Sequence, residues 1–249
     1  MPTECSSVAS ASAVPTSQSP VCEYAWLGRV EYADARELQQ RLARERAAGE
    51  RPDTLLLLEH PPVYTTGRRD ATSNLRLPPE LLGAPLIETD RGGDITFHGP
   101  GQLIAYATID LRAARLGVVD YVRNLEEVII RTLHTYGIEG GTECGLTGVW
   151  VGEQKIAAIG VRVSRPGGAA GGWITTHGLA LNVSVDLAWF ERIVPCGIAD
   201  RGVTSIQRLL VEAPETEAIA DRLAASFGEV FSRRMRIAEG LRSAAVVSR

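Results

Sequence analysis

The sequence is poor in lysine and cysteine and has no long apolar run. Of its 26 basic residues, only Lys155 is a lysine. Its 4 cysteines include no CxxC pair, so they fit neither a zinc site nor a disulfide framework. No stretch approaches the roughly 18 apolar residues of a membrane-spanning helix. A formal net charge of −4 argues against nucleic acid as a partner. We therefore expect a cytoplasmic protein with free thiols, no membrane segment and no bound metal.

Length and composition predict one domain. A chain of 249 residues with 45% hydrophobic residues suits one large domain, or at most two small ones. Residues 1–20 are rich in Ser, Ala, Pro and Thr and hold almost no large apolar side chain, which predicts a disordered tail. The domain is expected over residues 21–240, and residues 241–249 are expected to fray.

Periodic patterns of apolar residues predict both helices and strands. Helical spacing marks three segments, 33–48, 118–136 and 214–235. Strand patterns mark 54–59, 102–111 and 174–182, with a hairpin over 148–163. Helices and strands are interleaved without a strict βαβ rhythm. The predicted fold class is therefore α/β (α+β type), a single domain with a mixed β-sheet flanked by helices.

Lys155 and Cys196 are the residues whose chemistry stands out. A lysine can release its proton near neutral pH in a suitable pocket, which an arginine cannot do. Lys155 is therefore a candidate catalytic group, although a solvated strand end is the commoner place for such a residue. Cys196 lies between Pro195 and Gly197, where a sharp turn would leave its sulfur accessible. The alternative is an inert buried thiol, as most free cysteines are.

Two further segments predict a binding site. Residues 91–102 are rich in glycine around His98, and paired glycines let main chain approach a ligand closely. The segment has no P-loop and no strand–GxGxxG–helix order, so it is either a binding loop of another kind or a structural cluster of turns. The small residues Ala157, Ala158, Gly160 and Ala180 would leave a narrow apolar groove between adjacent strands. Such a groove suits an alkyl chain, although the same small residues also allow close strand packing.

Four segments together resemble the lipoyl(octanoyl) transferases of lipoate biosynthesis. They are RGGDITFHGPGQLIAYATIDL (91–111), GVWV-x-x-x-KIAAIGVRV (148–163), THGLALNV (176–183) and PCGI (195–198). The likeness extends over residues 22–235, with the four motifs in order. It implies a fold resembling the catalytic domain of the biotin and lipoate protein ligases.

The resemblance implies an acyltransferase that needs no cofactor. Such an enzyme moves an octanoyl group from acyl carrier protein to the lysine amine of a lipoyl domain. The implied acceptors are the E2 subunits of 2-oxoacid dehydrogenases and the H protein of glycine cleavage. Because exchange of one thioester for another is nearly thermoneutral, the transfer requires no ATP. An acidic carrier would need a local basic patch, for which Arg68 and Arg69 are the candidates.

The resemblance also assigns roles to individual residues. It implies that Cys196 is the nucleophile that holds the acyl thioester and that Lys155 lowers the pKa of its thiol. A lysine ammonium about 4 Å from the sulfur stabilises the thiolate by up to roughly 4 kcal/mol of Coulomb energy at an effective dielectric constant of about 20. The segment 166–172 must loop out for this pair to meet. The residues implied to bind the acyl substrate are Arg91, Gly92, Gly93, Asp94, Ile95, Thr96, Phe97, His98, Ala158, Ile159, Gly160, Gly178, Leu179 and Ala180.

Three other functions compete with this interpretation. An ATP-dependent lipoate or biotin protein ligase would share the fold, but it needs no nucleophile at Cys196, and the loop after Arg91 lacks further arginines for an acyl-adenylate phosphate. A non-catalytic module that binds lipoyl domains would need neither Cys196 nor Lys155. A thioesterase is a weaker alternative, because the sequence offers no convincing Cys/His/Asp set.

Overall fold

The structure is a computed structural model that describes residues 15–69, 72–166, 168, 172–194, 201–212 and 214–244. Within these residues, eleven β-strands and five α-helices form two sheets with helices around the larger one. No helix in this part of the chain is long and apolar enough to cross a membrane.

The main sheet has eight strands in the described chain. In spatial order they are β11 (Arg234–Ile237), β1 (Val21–Arg29), β2 (Asp53–Glu59), β6 (Gln102–Thr108), β10 (Ile174–Asn182), β9 (Gln154–Ser164), β8 (Leu146–Val151) and β7 (Gly141–Glu143). Strand β1 runs parallel to β11 and β2, whereas every pair from β2 to β7 is antiparallel. The predicted α/β fold with a mixed sheet flanked by helices is therefore confirmed.

Helices cover both faces of the main sheet. Helices α2 (Val118–His134) and α4 (Thr216–Val230) pack on one face. Helix α1 (Tyr32–Ala47) and the short α5 (Glu239–Ala244) pack on the other. The run Leu55–Leu58 of β2 is wholly buried because alternate side chains point into each of these two layers. A further short helix, α3 (Ile206–Leu209), precedes α4.

A smaller sheet lies beside the main one and positions the glycine-rich loop. Its strands, in spatial order, are β4 (Leu86–Glu88), β3 (Val63–Thr66) and β5 (Thr96–His98). It has its own apolar cluster, in which the ring of Phe97 stacks on Trp189 with centroids 4.9 Å apart. Successive side chains of a strand point to opposite faces, so Thr96 and His98 point away from this cluster.

Most predicted elements are confirmed to within a few residues, and two differences occur near the C-terminus. The helix predicted over 214–235 is wrong in its last part, because α4 ends at Val230 and Arg234 pairs in parallel register with Val21 of β1. Structure also continues past the predicted domain boundary at residue 240, since Leu241 of α5 is buried among residues of β1 and α1. Residues 1–14 and 245–249, parts of the two predicted tails, lie outside the described residues.

Candidate active site

A mostly apolar cavity lies where the two sheets meet. Together with the part that is open to solvent, this space measures about 480 Å³. Strands β6, β9 and β10 form one wall, and the loop that leads into β5 covers it. The structure brings together here all of the predicted binding residues except Gly92, Ile95 and Phe97. Three segments that are far apart in the sequence therefore enclose one space.

Small side chains line the middle of the wall. Ala158 of β9 pairs with Ala180 of β10, and Gly160 pairs with Gly178 two residues further along. On the other edge of β10, Ala180 pairs with Ile104 of β6. Because these side chains are short or purely aliphatic, the wall leaves room for an alkyl chain that runs along the strands.

The glycine-rich loop closes one end of this cavity. The main-chain N–H of Gly92 donates a 2.9 Å hydrogen bond to the carbonyl of Val161. A Cβ atom at Gly160 would lie 2.8 Å from the carbonyl oxygen of Gly92, so only glycine at position 160 allows the loop to approach this closely. The buried guanidinium of Arg91 donates from Nη2 to the carbonyl of Thr65 at 2.7 Å and to its hydroxyl at 2.9 Å.

A chain of buried hydrogen bonds leads from this loop toward the other end of the cavity. Nδ1 of His98 lies 2.8 Å from Oε1 of Gln102, so Nδ1 carries the proton and Nε2 accepts from the hydroxyl of Thr65. Gln102 Nε2 donates to Asn182 Oδ1, and Asn182 Nδ2 donates to the carbonyl of Thr204, both at 2.9 Å. Burial lowers the pKa of His98 to about 3, which keeps the ring neutral, as this chain requires.

Lys155 lies at the end of this hydrogen-bond chain. It is the second residue of β9 and is buried. Its main-chain N–H donates to the carbonyl of Gly202, and its carbonyl accepts from the N–H of Thr204, each at 2.9 Å. Its Nζ lies 5.3 Å from the ring centre of Trp150. Lys155 is therefore held in a packed setting, and the solvated strand end considered from the sequence is excluded.

A buried carboxylate fixes the strand beside Lys155. Oε1 of Glu126 in α2 accepts from the main-chain N–H of Gly148 in β8 at 2.9 Å. Its other oxygen, Oε2, accepts from Nη1 of Arg123 at 2.6 Å. Both carboxylate oxygens are thus satisfied, as a buried charge requires.

Cys196 lies outside the described residues, as do Pro195 and Gly197. The described chain on either side is anchored close to the cavity. Before the gap, the N–H of Val194 donates to the carbonyl of Asn74 at 2.7 Å. The Asn74 side chain in turn donates to Asp94, which lines the cavity, at 2.7 Å. After the gap, the chain pairs with Lys155, so the closeness of Cys196 and Lys155 stays a prediction supported by both flanks.

Three predicted binding residues are placed elsewhere. The side chains of Ile95 and Phe97 are buried in the apolar cluster of the smaller sheet together with Tyr64. Successive side chains of a strand point to opposite faces, so Thr96 and His98 face the cavity and Ile95 and Phe97 face the apolar cluster. Gly92 contributes main-chain groups: its N–H bonds to β9, and its carbonyl accepts from Nη1 of Arg91 at 3.2 Å. Parts of the predicted 166–172 loop, residues 167 and 169–171, lie outside the described residues.

Four lining residues were not predicted. Ile104 and Tyr106 occupy alternate positions of β6 and therefore lie on the same face of the strand. The pattern of the predicted buried strand could have indicated that both face the cavity. His177 lies inside the third motif, next to the predicted Gly178. Tyr32 begins α1 and reaches the cavity from a part of the sequence without any motif.

The described residues hold two thiols, those of Cys22 and the exposed Cys144, and neither lines the cavity. Cys22 is fully buried in the main core, and this burial raises the pKa of its thiol well above the usual value. A thiol of that kind is a poor nucleophile. No group of three His, Cys, Asp or Glu side chains in the described chain could hold a metal ion.

Comparisons with known proteins agree on one family. The model of the lipoyl protein ligase A/B catalytic domain matches residues 31–228. An octanoyltransferase of Rubrobacter xylanophilus is 52% identical over 211 residues, covering 82% of this chain and 90% of the relative. An octanoyltransferase of Chloroflexus aggregans is 50% identical over 213 residues, covering 84% and 94%. A lipoate protein ligase of Thermoplasma acidophilum has a TM-score of 0.63 at 15% identity, covering 91% of each chain, which shows a shared fold.

Proposed function

The chain belongs to the lipoyl protein ligase A/B catalytic-domain family, and from this premise we propose that it is an octanoyltransferase of protein lipoylation. The resemblance found in its four motifs is thereby confirmed at the level of the family. Its acceptors are lipoyl domains, such as those of 2-oxoacid dehydrogenase E2 subunits and the glycine cleavage H protein. Its donor is octanoyl acyl carrier protein, and the reaction takes place in the cytoplasm without a cofactor.

The cavity between the two sheets is the observation that carries this proposal. Its wall is aliphatic at Ile104, Ala158 and Ala180, and strand β9 leads from there directly to Lys155. A chain bound along β9 would therefore place its carbonyl group near Lys155 and its methyl end near the loop at Gly92. We name this space the acyl cavity, with the lining described above.

The first step is an exchange of thioesters. The Cys196 thiolate attacks the carbonyl carbon of the donor thioester, and a new C–S bond forms as the tetrahedral intermediate develops. The intermediate collapses with cleavage of the original C–S bond, and the leaving carrier thiolate takes the proton of the Lys155 ammonium, which leaves Lys155 neutral. A positive charge on Lys155 favours the thiolate of Cys196 before the attack.

The second step forms an amide. The acceptor lysine of the lipoyl domain must lose a proton before its nitrogen can attack the thioester carbonyl, because an ammonium has no free electron pair. Lys155 in its neutral form takes up that proton, a role closed to arginine. The C–N bond then forms, the C–S bond breaks, and the nitrogen gives its second proton to solvent. The Cys196 thiolate and the Lys155 ammonium are thereby restored for the next cycle.

The test uses purified components without nucleotide. The chain is mixed with octanoyl acyl carrier protein and an apo lipoyl domain, and intact mass spectrometry follows each protein. We expect one octanoyl group on the chain at early times and on the lipoyl domain later. With Cys196→Ala, no adduct should form on the chain; an adduct on this variant would rule out Cys196 as the nucleophile.

A matched arm tests the ligase alternative. Free octanoate and ATP replace the carrier, with the same lipoyl domain as acceptor. A ligase would modify the domain under these conditions, whereas the proposed transferase leaves it unmodified. Modification only with ATP and free octanoate would overturn the proposal.

A further inference from the structure

The acyl cavity is aliphatic near Lys155 and polar at its other end. The aliphatic part includes Ile104 and Ala158, whereas Tyr106 and His177 meet at the far end with their rings nearly perpendicular and centroids 6.3 Å apart. The aliphatic and the polar region are neighbours along β10. Ala180 pairs with Ile104 in the aliphatic region, Gly178 pairs with Tyr106, and His177 directly precedes Gly178.

His177 is held in an uncommon conformation by several contacts. Its φ angle is 59°, in the left-handed region that few residues other than glycine adopt. Its main-chain N–H donates to Oε1 of Gln39 in α1 at 2.7 Å, and its Nε2 donates to Oδ1 of Asp90 at 2.8 Å. Strained positions of this kind persist where the surroundings fix them and are common at functional sites.

The other ring nitrogen of His177 is a buried acceptor. Burial lowers the pKa of His177, although the Asp90 carboxylate acts in the opposite direction. In the neutral ring Nε2 holds the proton that is shared with Asp90, so Nδ1 presents a lone pair. Nδ1 is buried and has no hydrogen-bond partner among the described residues. A methylene group pressed against this nitrogen cannot satisfy it.

The imidazole also separates two cavities. A second, more open cavity, with an empty volume of about 820 Å³, lies on the other side of His177. Its walls carry the guanidinium groups of Arg36, Arg44, Arg162 and Arg165. Since His177 lines both spaces, its ring lies in the wall between an aliphatic cavity and a basic one.

We propose that the His177 imidazole is the stop that limits the length of the acyl chain. This inference rests on the proposed function, and it makes His177 a specificity-determining residue that takes no part in the chemistry. A short chain ends in the aliphatic region and leaves the ring undisturbed. A longer acyl chain would press its terminal carbons against the buried nitrogen and the ring of Tyr106.

The dimensions of the cavity agree with this assignment. From Lys155 to Gly160, strand β9 advances about 16 Å at a rise of about 3.3 Å per residue. An extended eight-carbon chain spans about 9 Å, given carbon–carbon bonds of about 1.5 Å. Octanoyl therefore ends about 7 Å short of the position of Gly160, and about five or six further carbons would bring the acyl chain to the His177 ring.

The experiment compares acyl carrier proteins loaded with chains of eight, ten, twelve and fourteen carbons. For the protein without substitutions, we expect kcat/KM for transfer to a lipoyl domain to fall at least about tenfold between two successive acyl lengths of this series. His177→Gly removes the ring, and glycine adopts the positive φ without strain. In this variant the fall should move to longer chains, and the fourteen- to eight-carbon ratio of kcat/KM should rise at least about tenfold. His177→Asn also tolerates the backbone but keeps a polar group, so its ratio should rise less.

His134→Asn, at the exposed end of α2, is the matched control and should keep the original length profile. If His177→Gly does not fold, the ratio measured for His177→Asn decides. A flat profile in the unchanged chain would overturn the inference, as would variants that lower the rates of all chain lengths by one common factor. Absence of transfer with every chain length would instead refute the proposed function, so the two failures are distinguishable.

Discussion

Gly148 lies directly against the side chain of Lys155. A Cβ atom at position 148 would be 2.6 Å from Cε and 3.2 Å from Nζ of Lys155, and 2.6 Å from the carbonyl oxygen of Ala157 in the paired strand β9. We expect Gly148→Ala to push the ammonium out of place and to lower kcat about tenfold to a hundredfold, because small displacements of a catalytic group have effects of this size. Steady-state kinetics with octanoyl carrier protein, together with a thermal melt, measure the effect.

Gly145→Ala is the control for backbone strain in the same region. Gly145 also has a positive φ, 78°, but a Cβ atom there would meet nothing within 4 Å. Both variants should lose stability, since alanine is strained at positive φ, but only Gly148→Ala should lose activity beyond that. Equal kinetic losses in the two variants would show that Lys155 is not the affected group.

Local patterns in the sequence predict most helices and strands, because the spacing of apolar residues that is typical of each can be recognised within a few residues. Helix α2, for example, buries Tyr121, Leu125 and Ile129 at helical spacing. The predicted helix wrongly includes Arg234 and Met235, the first half of the last strand, β11, because only pairing with β1 makes Arg234–Ile237 extended. Pairing between residues more than 200 positions apart leaves no local signal.

The candidate site could be predicted only where motifs carried it. Resemblance identified the loop at Arg91 and the small residues of β9 and β10, but it also included Ile95 and Phe97, which strand alternation turns away. The role of His177 depends on Asp90 and Gln39, which lie 87 and 138 positions away in the sequence. Contacts over such separations are decided by the tertiary fold.

Two buried neutral histidines make stability depend on pH. Burial lowers the pKa of His60 to about 4 and that of His98 to about 3. In the unfolded chain both groups titrate near 6.5. Above about pH 6.5 neither histidine makes the free energy of unfolding depend on pH. Below it, the unfolded state binds protons that the folded state cannot, so the protein becomes less stable as the pH falls toward the pKa values of the folded state. Between pH 6 and pH 5 we expect a loss of about 2 kcal/mol, measured by urea unfolding.

His60→Gln separates this effect from other titrations. The amide can replace both bonds of the ring, to the carbonyl of Val30 and the hydroxyl of Tyr106, which lie 2.7 and 2.8 Å from the imidazole nitrogens. Without the titrating ring, the loss between pH 6 and pH 5 should shrink by about 1 kcal/mol. An unchanged loss would mean that other groups cause the pH dependence.

Asn182 connects the acyl cavity to the segment that pairs with Lys155. It accepts from Gln102 and donates to Thr204, whose N–H bonds the carbonyl of Lys155. Asn182→Ala should lower stability by about 1–3 kcal/mol and lower kcat about tenfold, with KM for the carrier nearly unchanged. Thr132→Ala, which removes a buried hydrogen bond within α2, is the control and should lower stability alone. A loss confined to stability in both variants would show that Asn182 does not position Lys155.

Arg68 and Arg69 are exposed beside the loop that closes the acyl cavity, where their main-chain N–H groups donate to the carbonyls of Arg91 and Gly93. Because acyl carrier proteins are acidic, this pair should speed their association with the chain. At low salt, Arg68→Glu with Arg69→Glu should slow association about tenfold in stopped-flow measurements and weaken its salt dependence. The double substitution Arg112→Glu with Arg115→Glu, at two exposed arginines between β6 and α2, is the charge-matched control. Association that ignores both salt and the double substitution would place the carrier on another surface.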